Sequence, residues 1–281
     1  MSGTRAISMS LSRFAILLAA GMVPLLPPGT TSRPADQAAV LVTSSKELQR
    51  AFRLRRTVVL QAGRTYSVTP PLIVRGVLLC QGATIEAASA GTRGPDDPTS
   101  TLLECDDSVL IDGTLDCRGL VNSGVFSRGR LRAIGLTIVD YRRKGLHCVH
   151  GKDGKSVDSI LVDGLTVRSR KLDPKRTGPA FQYDSSQPCR SVILRGLAAG
   201  AHNDIGKPPS VFKVAHVQRL YADEIDAGGR KIVFGENVGE AFIQVKNLYY
   251  GKGGRGIDYH PDPSWKGPPR PARLTLVEQG W

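Results

Sequence analysis

Three segments of the chain, Ser108–Cys117 (SVLIDGTLDC), Ser159–Arg168 (SILVDGLTVR) and Ser191–Gly200 (SVILRGLAAG), repeat one pattern: a short apolar strand, a polar corner with glycine, and a second short strand. Arg130–Asp140 (RLRAIGLTIVD) fits it too. One such unit cannot bury its own inner side, whereas stacked units share a continuous core and leave an extended outer wall. The corner glycines Gly113, Gly135, Gly164 and Gly196 lie 22, 29 and 32 residues apart, so the strands keep step while the loops vary in length. Variable loops on one side of a regular scaffold suggest a binding groove.

Composition points the same way. Only 6% of the 281 residues are aromatic, while 31 glycines and 18 prolines call for many corners rather than long helices. At the start, Arg5 and Arg13 precede an apolar run, Phe14–Leu26 (FAILLAAGMVPLL), which is short and broken by proline. A basic region before such a run reads as an export signal rather than a membrane span. The expected organisation is therefore a signal peptide with a mature N-terminal tail over 1–39 and one domain over 40–281, in a secreted or periplasmic protein with no stable membrane span after signal removal.

Five cysteines, Cys80, Cys105, Cys117, Cys148 and Cys189, show no C-x-x-C spacing and support neither a zinc site nor a redox motif. They are expected to pack inside the coils with no required disulfide. The formal charge of +13 makes an anionic partner physically attractive, because basic clefts concentrate such ligands. Nucleic acid is not the expected partner: zinc-finger spacing and RRM-like aromatic motifs are missing, and few aromatics are available for stacking.

Ser44–Phe52 (SSKELQRAF) reads as a short helix, with Ser44 as N-cap and Glu47 completing a capping box. Short strands follow at Thr57–Leu60, Leu72–Val74, Val77–Cys80 and Thr84–Glu86. The stretches ELQRAF, TVVLQAGRTYSV and GVLLCQGATI closely resemble the first coils of pectate-lyase-like right-handed parallel β-helix proteins, and the resemblance runs from Ser44 to the C-terminus. It implies an all-β chain, a right-handed single-stranded parallel β-helix (a β-solenoid) with a short N-terminal capping helix. It also implies the activities of that superfamily, such as polysaccharide lyases and glycoside hydrolases, with substrate along one outer sheet.

Loop lengths suggest a stack of Gly124–Phe126, Leu146–Val149, Phe181–Tyr183, Phe212–Val214, Ile232–Phe234 and Ile257–Tyr259. With period-two alternation, Phe181 and Tyr183 point inward and Gln182 and Asp184 outward; Lys213 and Asp258 are outward in the same way. Neighbouring segments add Lys144, His147, His202, Asp204, Arg230, Lys231, Arg255 and His260 to one polar groove.

A uronate polymer, with its repeating carboxylate, fits a basic groove. The leading expectation is its cleavage by β-elimination, with Lys213 as base, Arg230 and Arg255 holding the carboxylate, and His202 or His260 as acid. Lys144, His147, Gln182, Lys231, Arg255, His260 and Trp265 complete the substrate-binding set, with Trp265 as a sugar-stacking platform. One alternative is a glycoside hydrolase using a pair among Asp184, Asp204 and Asp258. Another is a non-catalytic glycan-binding or cell-envelope protein. Against the family patterns, the N-T-D, D-D, G-H-G and R-I-K set of pectin hydrolases is absent, as are the W-x-D-H and R-x-P-x-x-R motifs of calcium pectate lyases. No cofactor and no metal site are expected; Ca2+ at Asp223, Glu224 and Asp226 finds only weak support.

Overall fold

Alternation of apolar and polar residues carries almost every strand. In the computed structural model, which describes residues 39–51, 57–94, 97, 99–151, 153–168, 178–200, 210–249, 256–259 and 271–279, the order begins with β1 (Val40–Val42), α1 (Ser45–Ala51), β2 (Thr57–Leu60), β3 (Thr65–Val68) and β4 (Leu72–Val74). Longer strands follow: β5 (Val77–Ala87), β6 (Thr101–Asp116) and β7 (Ser123–Val139), then β8 (Lys144–Val149), β9 (Val157–Asp163) and β10 (Thr166–Arg168). The chain continues through β11 (Phe181–Tyr183), β12 (Cys189–Arg195), β13 (Ala198–Ala199), β14 (Ser210–Val214), β15 (Val217–Phe234), β16 (Glu240–Leu248), β17 (Ile257–Tyr259) and β18 (Arg273–Glu278). The export-signal segment Phe14–Leu26 lies outside the described residues. Among those described, no helix is long and apolar enough to cross a membrane.

Every ladder is parallel, and the sequence repeats lie beside one another in register. Leu110 pairs with Ala133, Ala133 with Val162, Val162 with Leu194 and Leu194 with Ala222. Leu115, Ile138, Val167 and Ala199 form a second such row. Both rows are buried and belong to one continuous core.

The ladders also close. From β7 the pairings run to β8, β11, β14, β15, β12 and β9 and return to β7, a ring of seven strands with every neighbour parallel. Closure depends on two long strands that bend and are shared. Residues 123–128 of β7 pair with β8, 131–134 with β9 and 137–139 with β10, with left-handed Gly129 (φ 80°) and Gly135 (φ 63°) at the bends. Likewise, β15 pairs with β12, then β13, then β14, turning at Glu224 (φ 54°), Gly228 (φ 55°) and Gly229 (φ 75°). A closed ring leaves no unpaired edge among its members.

In the sense of this closed ladder, the core is a seven-stranded parallel β-barrel with additional strands. This corrects the expected right-handed single-stranded β-helix of short, separate strands with a capping helix. The assignment to the pectate-lyase-like superfamily is corrected with it. The short helix α1, the single helix among the described residues, sets Leu48 fully into the core beside β1 and β3. The Glu47 N–H donates to Ser44 Oγ at 3.3 Å, as a capping box requires, but the Glu47 carboxylate accepts from Thr43, N–H at 2.8 Å and Oγ1 at 3.0 Å. Those hydrogen bonds hold its carboxyl below the usual range.

The corners match the repeats with one shift. Gly135, Gly164 and Gly196 are left-handed, but in β6 the left-handed residue is Asp112 (φ 53°), one before the expected Gly113. Gly113 is needed for a different reason: a Cβ there would stand 2.3 Å from Cys80 Cβ and 2.8 Å from its Sγ. Gly113→Ala is therefore expected to lower stability by about 1–3 kcal/mol through overpacking, read by urea denaturation. An unchanged midpoint would mean that β5 and β6 are not in this close approach. All five cysteines are buried and unbridged, and burial pushes the Cys80 and Cys189 thiols up to about 12.

Candidate functional site

The strands β7, β8, β11, β14, β15 and β17 lie side by side in that order. Two of their rows face inward. Val125, Leu146, Phe181, Phe212 and Ile232 form one, and Ser127, Cys148, Tyr183, Val214 and Phe234 the other, all buried. Between them an outward row runs Glu104, Phe126, His147, Gln182, Lys213, Val233 and Asp258, each paired in register with the next. Strand alternation forces this: side chains between two sealed rows have only the outer side left.

Charge along the row is organised in local pairs. Glu104 faces Arg93 at 3.6 Å and Arg128 at 4.0 Å, and the Arg128 guanidinium lies 5.1 Å from the Phe126 ring centre. Phe126 meets His147 edge-to-face at 5.2 Å, and the Lys144 ammonium lies 3.4 Å from both ring nitrogens of His147. Burial and the Lys144 charge push His147 down to about 3, against the opposing pull of Asp184; Lys144 is lowered too, chiefly by burial. His147 is thus neutral at physiological pH. Gln182 Nε2 donates to Asp184 Oδ2 at 2.7 Å, and Lys213 Nζ stands 3.6 Å from the same oxygen. Lys231 Nζ donates to Asp258 Oδ2 at 3.0 Å and lies 5.9 Å from the Tyr249 ring centre.

The structure thus brings together Lys144, His147, Gln182, Asp184 and Lys213, with Asp258 further along the same row and Lys231, two residues before the row's Val233 on β15, beside it. Arg230 stands apart. Its guanidinium is buried, Nη1 donating to Tyr141 Oη at 3.2 Å and Nη2 to the Gly200 carbonyl at 3.3 Å. His202, Asp204, Arg255, His260 and Trp265 lie outside the described residues. Glu104, Phe126 and Arg128 were missed by sequence reasoning. The signal was present in the alignment of Gly124–Phe126 with Leu146–Val149, but an aromatic beside valine reads as core.

This geometry corrects the eliminative mechanism and the lyase assignment drawn from it. Lys213 faces a carboxylate as an ion pair, and Arg230 holds the interior rather than a substrate carboxylate. Of the hydrolytic pairs, the one within the described residues meets the same obstacle; Asp204 lies outside them. Asp184 and Asp258 sit three strands apart, about 14 Å at the usual parallel strand spacing, against the roughly 5–10 Å over which paired glycosidase carboxylates act. Each is moreover committed to its own lysine. Among the described residues, no group of three or more His, Cys, Asp or Glu side chains is placed to hold a metal ion. At the acidic run, Asp223 accepts from Tyr221 Oη and the Glu224 N–H, while Asp226 accepts from the Gly228 N–H and Asn247 and faces Lys246.

No family model, no curated protein and no solved structure matches this chain.

Proposed function

We propose that the protein is a non-catalytic binder of an acidic glycan, using the outward row from Glu104 to Asp258 as its contact strip. The carrying observation is the placing of Lys144, Lys213 and Lys231 along one parallel sheet, on β8, β14 and β15, with Lys213 and Lys231 each beside a partly exposed carboxylate, Asp184 and Asp258. Repeating cations suit a polymer with repeating carboxylates.

The pairs are well suited to exchange. Lys213 and Asp184 are 30% and 33% exposed, and ion pairs of this kind contribute about 0–1 kcal/mol. An incoming uronate carboxylate can replace Asp184 at the Lys213 ammonium at little cost, while Asp184, still held by Gln182, keeps the lysine positioned between ligands. Arg128 and His147 both pack on Phe126 and stiffen the start of the strip. The net charge of +13 supports the same ligand sign. The basic, apolar N-terminal run supports export to the periplasm or medium, where such polymers occur, with 40–281 folding as one domain.

Titration of the protein with a uronate polymer and with its neutral counterpart tests this. Binding confined to the acidic polymer, weakening with salt and falling by about tenfold in the Lys213→Gln/Lys231→Gln double variant, which corresponds to 1.4 kcal/mol, is the expected result. Equal binding of the neutral polymer, or full affinity in the variant, would overturn the reading. So would new reducing ends or unsaturated uronate absorbance in the mixture.

A further inference from the structure

Another outward surface differs in kind from the glycan strip. On β5, β6, β7, β9, β12 and β15 the inward row is Leu78, Leu110, Ala133, Val162, Leu194 and Ala222, at most 2% exposed. The positions just before it, which alternation turns outward, are Val77, Val109, Arg132, Leu161, Ile193 and Tyr221, and the row continues into Phe242 and Thr275. The positions just after it begin with Val59, Leu79, Ile111 and Ile134. Apart from Arg132 and Thr275, these outward side chains are aliphatic or aromatic; Tyr221 is 38% exposed and the other apolar ones are half-buried.

Elsewhere the same fold puts polar groups outside. Thr65, Thr84, Thr114, Thr137 and Thr166 form an in-register threonine row. The apolar surface is therefore not a general property of the outward side. It has the anatomy of an interface: an apolar centre with polar borders, Ser191, Arg219, Glu240 and Arg273 on one side and Asp163, Arg195 and Asp223 on the other.

We propose that this face is a self-association surface on which two copies of the chain pack sheet on sheet about a two-fold axis. Area is the first argument. Nine strand widths of about 4.8 Å give about 43 Å, and three row widths of about 6.6 Å give about 20 Å, a footprint of about 850 Å² per copy, about what a standard stable interface buries on each partner. Charge is the second. An interface across a two-fold must complement itself, and this patch carries both Arg132 and Arg195 and both Asp163 and Asp223, so each cation can meet an acid of the other copy. Shape is the third: a shallow cavity of about 420 Å³ opens on this side, lined by Ile193, Tyr221 and Phe242 with Arg219, Glu240 and Arg273 at its margin. Tyr221 and Phe242 stack there at 5.3 Å, nearly parallel, giving a rigid apolar wall for a partner side chain.

The surface is separate from the glycan strip, and its test does not depend on that reading. Light scattering after size exclusion and sedimentation equilibrium on the full chain, from low to high micromolar, are expected to give the dimer mass. Leu161→Asp and Tyr221→Asp are expected to move the chain to the monomer mass, weakening association by at least about a hundredfold, with an unchanged circular dichroism spectrum. A wild-type chain that is monomeric throughout, a trimer or larger ring, or variants that remain dimeric would each overturn the proposal. Should one variant unfold, the other and the wild-type mass still decide it.

Discussion

Phe212→Ala is expected to lower the free energy of unfolding by about 3–5 kcal/mol, enough to consume a large fraction of the stability of an ordinary domain. Phe212 is fully buried and sits in register between Phe181 and Ile232 on the flanking strands. Backbone hydrogen bonds hold those strands at a fixed spacing, so the neighbours cannot close over the missing ring and most of its volume remains as a cavity. The next residue, Lys213, points outward, and Lys213→Ala is expected to change stability by no more than about 0.5 kcal/mol. Urea denaturation of the two variants measures the contrast. Similar losses at both positions would mean that the inward and outward assignment of β14, and with it the whole contact strip, is wrong.

Acid is expected to destabilise the protein through His147. Its folded-state value of about 3 lies below the ordinary 6.5, so between those limits the unfolded chain binds a proton that the folded chain refuses. Stability is then unaffected above about pH 6.5 and falls progressively as the pH drops toward 3. The full shift sets an upper bound of about 5 kcal/mol at 1.36 kcal/mol per pH unit; with the ring only partly withdrawn from solvent, a loss of about 2–3 kcal/mol between pH 7 and 4 is expected. Every group facing the ring enters this balance. Lys144 and Lys213 disfavour its protonation, Asp184 favours it, and Phe126 covers one edge. The checking measurement is the midpoint of urea denaturation against pH for the wild type and for His147→Gln. Glu47 and Asp97, whose carboxyls hydrogen bonds hold low, add an acid loss of the same sign in both proteins, so the difference between the two curves isolates His147. Parallel curves would remove the histidine from the account.

Much of the local structure was legible in the chain. The repeats proved to be neighbours in register because their apolar residues recur with period two on both sides of a polar corner, and only one register hides both sets. Period two also placed Gln182, Lys213 and Asp258 on one outer row, since each lies between two residues that must be inside. Arg230 was misread for an equally physical reason. Alternation says that a residue is inside or outside but not whether an inside position will hold a guanidinium, and Tyr141, the partner that makes this possible, is 89 positions away in the chain. Phe126 was passed over because an aromatic gains most from burial, while here Arg128 and His147 cover it on the outer side.

Closure of the ladders belongs to a different level. Short segments such as TVVLQAGRTYSV resemble those of a known superfamily because local strand and corner chemistry is shared widely, and one local pattern serves several architectures. Read along the chain alone, the residues establish strand-rich parallel repeats, corner positions to within one residue, and the alternation that separates core from wall. Assembly of the strands settles the rest: β7 and β15 run on through their left-handed bends and each join several ladders, the ladders return to their start, and Lys213 and Lys231 each meet a carboxylate. Those outcomes rest on hydrogen bonds and ion pairs between residues tens of positions apart, whose geometry exists only once the strands are assembled.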